Sequence, residues 1–304
     1  MLSRDLARYV DQKRSLGFKF ESQNFVLSSF VRFAEERGDR YIRNARVLAW
    51  AAQAPSPEHR CARLLMVRRF ALALHAENAR HQVPARDALG QANAKRRTPY
   101  IYSADEIERL LRAAAALPPA QSSRPIVYVT LLGLIAATGV RIAEALALQL
   151  DDITADGLII RESKFHKTRL LPLHVTTRNA LDRYLVARQE VAMADRALFI
   201  SAAGKPLPYT TVRSVFLKLL DRTGLRGANA GRDPRIHDLR HTFAVRSLEL
   251  CGLDRIAVTQ HIVALSTYLG HVHVRDSFWY LQATPVLMGQ IADAGEALLK
   301  GGAA

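Results

Sequence analysis

Sixteen consecutive residues, 125–140, carry no charge: PIVYVTLLGLIAATGV. A membrane-spanning helix needs roughly 20 apolar residues, so this run is too short to cross a bilayer. Residues 126–137 are apolar on most sides and read as a helix buried in a protein core. Thr138-Gly139 breaks that helix, and a new one begins at Arg141 and runs to 148. The rest of that domain has to be built around the buried helix. With 304 residues the chain is long enough for two domains.

The flanking segments read mostly as helices. Residues 6–16 are amphipathic and end at Gly17. Ser22 can cap a second helix, with Phe25, Phe30 and Phe33 on its inner side and Gly38 after its end. Residues 43–53 form a short third helix. Pro57 suits the first turn of a fourth, running to about residue 81, with Leu64, Val67, Ala71 and Leu74 as its apolar stripe. Residues 85–100 have linker composition, with Gly90, Pro99 and the cluster Lys95-Arg96-Arg97. The boundary falls near 92, giving domains 1–92 and 93–304. Ser103 and Glu106 make a capping box for a helix to 117, stopped by Pro118-Pro119. Asp156-Gly157 is a turn, and 158–160 with 169–173 form a β-hairpin around a polar tip. Helices follow over 175–192, 209–222, 238–250 and 254–269, with a loop at 224–233 and a last helix over 285–300. The class is mainly α with a small antiparallel sheet, without internal repeats.

Charge narrows the partner. The chain holds 43 Lys and Arg against 28 Asp and Glu, a net +15. Residues 1–97 hold 19 basic and 9 acidic residues, and the remainder 24 and 19. The first third therefore carries most of the positive field, which suits a polyanion such as nucleic acid. Arg60, Arg63, Arg68 and Arg69 on the fourth helix are candidates for a DNA-facing surface, and Lys95, Arg96 and Arg97 could track a phosphate backbone. The alternative for each is a solvated surface. Cys61 and Cys251 are too few for a disulfide framework and suit a reducing compartment. The first nine residues include Arg4, Asp5 and Arg8 and have no apolar core like that of a signal peptide. A cytoplasmic protein without a membrane segment is expected.

Five short motifs carry chemistry. Arg141, just past the Thr-Gly break, is by itself an exposed arginine or a partner for Glu144 or Asp151. His237 and Arg240 lie one helical turn apart and can point the same way. Two guanidiniums match the charge spread over the non-bridging oxygens of a pentacoordinate phosphate and stay charged at any pH. Leu269-Gly270-His271 adds a second histidine. Tyr280, between Trp279 and Leu281, reads locally as core, but its hydroxyl could attack if positive groups lay beside it. Lys164, near the hairpin tip, is a solvated turn residue or an ammonium able to protonate a leaving oxygen. Lys167 competes for that role.

Taken in order, these motifs resemble the tyrosine recombinase (phage integrase) family, which includes the Xer recombinases. The likeness spans roughly 98–285, with a looser one over 1–90. It implies a C-shaped DNA clamp made of a helical, SAM-like core-binding domain and a catalytic domain. It implies Tyr280 as nucleophile, Arg141 and Arg240 on the phosphate, His237 assisting proton transfer, His271 hydrogen-bonding the phosphate, Lys164 protonating the leaving oxygen, and Glu144 as a supporting acid. The product would be a 3′-phosphotyrosyl bond and a free 5′ hydroxyl, exchanged through a Holliday junction without ATP, metal or other cofactor. The partners implied are a double-stranded recombination site and a homotetramer, or a mixed tetramer with sister recombinases. The segment 276–285 departs from the Thr-x-x-x-Tyr-x-His ending of Xer proteins. It looks more like recombinases of transposons and integrative elements, so integration or excision of a mobile element is expected. Two other readings use the same residues or fold: a type IB topoisomerase-like relaxing enzyme and a non-catalytic DNA-binding regulator.

Overall fold

The computed structural model describes residues 1–90, 98–163, 167–190, 195–227, 233–251 and 255–270, together with 273, 289, 292 and 296. It divides into two compact units, Met1–Arg97 and Thr98–Ala304.

Among its described residues the first unit holds four helices: α1 (Leu2–Ser15), α2 (Glu21–Glu35), α3 (Asn44–Ala52) and α4 (Pro57–Glu77). α1 starts earlier than its amphipathic pattern suggests because Leu2 is fully buried and anchors the first turn. The expected stripe of α4, Leu64, Val67, Ala71 and Leu74, is buried, and Ser56 caps this helix ahead of Pro57. Two expectations for α2 fail. Phe20 occupies the N-cap in a left-handed conformation, so Ser22 lies inside the helix and does not cap it. Phe25 is 79% exposed. The buried face is Leu27, Phe30, Val31 and Ala34. At about 100° per residue, Phe25 lies some 140° round the helix from Phe30. α4 ends at Glu77, not near 81, because Asn78 leaves the helix in an extended conformation. The chain then folds back and buries His81, whose Nδ1 accepts from the Ile42 amide at 3.2 Å.

In the second unit α5 (Ala104–Ala115) begins at the Ser103/Glu106 capping box. α6 (Arg124–Thr138) is the buried helix. Val127, Tyr128, Leu131, Leu132, Leu134 and Ile135 are all enclosed, and the helix packs against α5, α8 and α10. Each such side chain contributes roughly 1.5–3 kcal/mol of burial. α7 (Ile142–Ala147) follows directly. The sheet has three antiparallel strands: β1 (Ile153–Thr154), β2 (Gly157–Ser163) and β3 (Lys167–Leu171). The expected hairpin is β2–β3, in register Leu158 to Leu171, and the two-residue β1 adds an edge the sequence pattern did not reveal. Then come α8 (Val175–Gln189), α9 (Tyr209–Arg222), α10 (Ile236–Glu249) and α11 (Arg255–Leu269). α10 starts two residues before its expected position because Asp238 accepts from the Arg235 amide and caps the turn. This puts His237 in the first turn. The linker core 91–97 and nearly all of the expected helix over 285–300 lie outside the described residues. No described helix is long and apolar enough to cross a membrane.

Candidate active site

Four helix ends meet at the site: those of α6 and α11, and the starts of α7 and α10. The first is the end of α6, where Gly139 turns with φ +63°. A Cβ at Gly139 would fall 2.5 Å from Cδ1 of Phe243, so only glycine suits both the backbone and the packing. Arg141 sits two residues on as the N-cap of α7, in an extended conformation that turns its side chain back across the helix start. Its Nη1 donates to Oε1 of Glu144 at 2.7 Å, and its backbone amide donates to Oε2 at 3.1 Å. Of the two partners open to Arg141, Glu144 is the one it takes. Asp151 pairs with Arg196.

The start of α10 brings His237 and Arg240. Arg240 is only 1% exposed. Its Nη1 donates to the Gly139 carbonyl at 2.6 Å and its Nη2 to the Leu269 carbonyl at 2.7 Å. Arg141 donates from Nη2 to the Gly270 carbonyl at 3.1 Å. The two arginines therefore grip adjacent carbonyls at the end of α11, immediately before His271 in the chain. His237 keeps an edge at the surface, and its ring meets that of His241 edge to face at 4.6 Å.

The field of the site is positive. Loss of hydration lowers the pKa of His237, and Arg240, Arg235 and Arg141 lower it further against the opposing pull of Asp238. Burial, then His237, pushes His241 down to about 4. Both shifts favour the neutral imidazole at pH 7. Burial alone would raise the Glu144 carboxyl, but the hydrogen bonds and charge of Arg169, followed by Arg141, outweigh it and hold it below the ordinary carboxylate range.

Arg169 is the residue that motif reading missed. It donates from Nε to the Tyr268 carbonyl at 2.9 Å and from Nη2 to Oε2 of Glu144 at 2.7 Å. The signal was strand periodicity. Arg169 shares the inward face of β3 with the buried Leu171, while Leu170 between them is 46% exposed. An arginine pointing inward needs a partner, and that partner is Glu144.

Of the expected site residues, the structure brings together Arg141, Glu144, His237 and Arg240. Lys164, His271 and Tyr280 lie outside the described residues, as do Lys95, Arg96 and Arg97. The α4 arginines do not share one face. Arg60 donates to the Ala54 carbonyl, Arg63 packs over the Trp50 ring and Arg68 donates to the Pro84 carbonyl, while Arg69 is exposed. Among the described residues, no three His, Cys, Asp or Glu side chains gather as a metal site.

The phage integrase family profile matches residues 101–285, a span holding Arg141, Lys164, His237, Arg240, His271 and Tyr280. The chain belongs to the phage integrase family. Members of this family cleave and rejoin DNA. A Sinorhizobium fredii protein named as an integrase/recombinase, y4rB, is 39% identical over 92% of this chain and 92% of its own length. The tyrosine recombinase XerD of Mycobacterium tuberculosis is 32% identical over 70% of this chain and 69% of its own. The Tn1549 transposon integrase, solved with transposon right end DNA, shares the fold with a TM-score of 0.66 at 16% identity, covering 99% of both chains. A lambda integrase dimer bound to a core site does so with a TM-score of 0.64 at 20% identity, over 92% of this chain and 76% of that one. Arg141, Arg169 and Arg240 all sit within the matched span.

Proposed function

We propose that this chain is the site-specific recombinase of a mobile element and that Tyr280 is its nucleophile. The tyrosine oxygen attacks a phosphodiester, a phosphorus–oxygen bond forms to Tyr280, and the bond to the 5′ oxygen breaks. His237, neutral at pH 7, takes the phenolic proton, and Lys164 gives one to the leaving 5′ oxygen. Arg141 and Arg240 hold the non-bridging oxygens as charge builds on them, and His271 adds a hydrogen bond. The 5′ hydroxyl of a partner strand then reverses the step and exchanges strands through a Holliday junction. The phosphotyrosine bond conserves the energy of the phosphodiester, so rejoining consumes no ATP.

One observation carries the reading. Arg141 and Arg240, 99 positions apart in the chain, bond the carbonyls of the adjacent residues Gly270 and Leu269. With Glu144 taking one face of Arg141, the donors that remain on the two guanidiniums suit the non-bridging oxygens of a phosphate. The integrase/recombinase relative and the transposon integrase fold support the mobile-element role. The first unit, residues 1–92 in the sequence reading, is a core-binding domain on the duplex, and a tetramer of protomers assembles on two duplexes. The thiols of Cys61 and Cys251 suit action in a reducing cytoplasm.

The test is covalent capture. A library of randomised duplexes, each nicked so that the cleaved strand escapes, is incubated with the protein and denatured. Wild type forms a protein–DNA adduct and Tyr280→Phe forms none while retaining affinity. Wild type that binds captured sequences yet never forms an adduct overturns the enzymatic reading. Relaxation of plasmids lacking those sequences points instead to a topoisomerase.

A further inference from the structure

We propose that Arg169 is a positioning residue for strand cleavage, holding Glu144 and through it Arg141, while pinning the end of α11 that leads to His271. The proposal rests on the reading of Arg141 as a phosphate-holding arginine.

The geometry is a shared clamp. Arg169 reaches both oxygens of Glu144, Nη1 to Oε1 at 3.2 Å and Nη2 to Oε2 at 2.7 Å. Glu144 uses the same two oxygens for Nη1 and the backbone amide of Arg141. The Arg169 and Glu144 side chains are only 11% and 8% exposed, so water screens the pair weakly. Nε of Arg169 still reaches the Tyr268 carbonyl on α11. One guanidinium thus ties β3, α7 and α11 together. Gly270 confirms how close the fit is, since a Cβ there would lie 2.8 Å from Nη1 of Arg169.

Two consequences follow for the reaction. Glu144 alone could swing toward Arg141 and draw its guanidinium away from a phosphate. With Arg169 fixing both oxygens, the carboxylate has one orientation, and Arg141 has one direction left for its outward donors. The second consequence is charge. A lone carboxylate beside Arg141 would cancel much of the field that Arg141 presents to DNA. Arg169 offsets it, so the Glu144 carboxylate is shared between two guanidiniums, those of Arg141 and Arg169. A lysine could not do both jobs, since one ammonium lacks the planar fork that spans the carboxylate.

Arg169→Gln and Arg169→Lys test this on a nicked duplex captured by wild type. The readouts are the single-turnover cleavage rate at saturating DNA, the affinity for the intact duplex, and the melting curve. Arg169→Gln cleaves roughly 100-fold more slowly, the scale expected for misplacing a group by about 1 Å. Its affinity is unchanged, and Arg169→Lys restores part of the rate. The double variant Arg169→Gln/Glu144→Gln is no slower than the slower single variant, because both act through one contact. If Arg169→Gln fails to melt cooperatively, Arg169→Lys alone decides, by a slowed rate at full affinity. Cleavage at the wild-type rate, rate and affinity falling together, or fully multiplying effects in the double variant overturns the proposal. Absence of cleavage by wild type overturns instead the reading on which it rests.

Discussion

Arg240 donates to the carbonyl of Gly139 at 2.6 Å, joining two residues that lie 101 positions apart. A second bond to Leu269 makes the same side chain a buried brace between the ends of α6 and α11. Those two bonds use two of the five N–H donors of the guanidinium. Arg240 is therefore structural, whatever it also does for a phosphate in the proposed reaction. Arg240→Ala leaves both carbonyls without this donor, at about 1–3 kcal/mol each. Thermal melting should show that loss, whereas Tyr280→Phe should melt like wild type. Equal melting points for Arg240→Ala and wild type would remove the brace from the account.

His237 sets a pH limit. Its folded-state pKa lies below the reference 6.5 because burial and the neighbouring arginines disfavour the charged ring. In the proposed reaction the neutral ring accepts the phenolic proton, so cleavage at subsaturating DNA should stay level as pH falls through 6.5 and decline only at more acid pH. His237→Gln should lose that acid limb along with most of the rate. A decline centred above pH 6.5 in the wild type would contradict this assignment.

Gly270 is constrained from two sides. Its φ of +68° favours glycine, and its missing Cβ makes room for Arg169. Gly270→Ala should cost roughly 1–2 kcal/mol from the backbone conformation. It should also push Arg169 away from Glu144 and so slow cleavage beyond what the stability change explains. Comparing melting point and single-turnover rate separates the two effects.

The first unit contains an acid-sensitive contact. His81 is buried, its Nδ1 accepts from the Ile42 amide, and burial lowers its pKa from 6.5. Asp5 and Glu77 raise it, while His75 and the N-terminal amine lower it, and the net direction is down. As pH drops below 6.5 the unfolded chain takes up this proton first, so stability is full above 6.5 and falls on acidification toward the folded pKa. His81→Asn keeps an acceptor near Nδ1 without a charge and should flatten the fall in melting temperature. An unchanged slope would assign the acid sensitivity elsewhere.

Local patterns in the sequence were enough for the framework. The uncharged run becomes the central helix α6, the Ser103/Glu106 box starts α5, and the apolar stripe of α4 is buried where its spacing places it. Each depends on residues within one or two turns of each other, and that information is written in a single stretch of chain. Phe25 shows the limit, because aromatic character suggested burial and helical angle decided otherwise.

The site divides the same way. Arg141, His237 and Arg240 were legible as motifs because guanidinium and imidazole chemistry is read from residue type and order. For Lys164, His271 and Tyr280 the assignment rests on that order alone. What the sequence could not contain is which carbonyl each arginine grips and that Glu144 is shared with Arg169. Those bonds join positions from 25 to 129 residues apart. They exist only because α6, α10, α11 and β3 pack side by side, and a buried guanidinium must find its acceptors wherever packing has brought them.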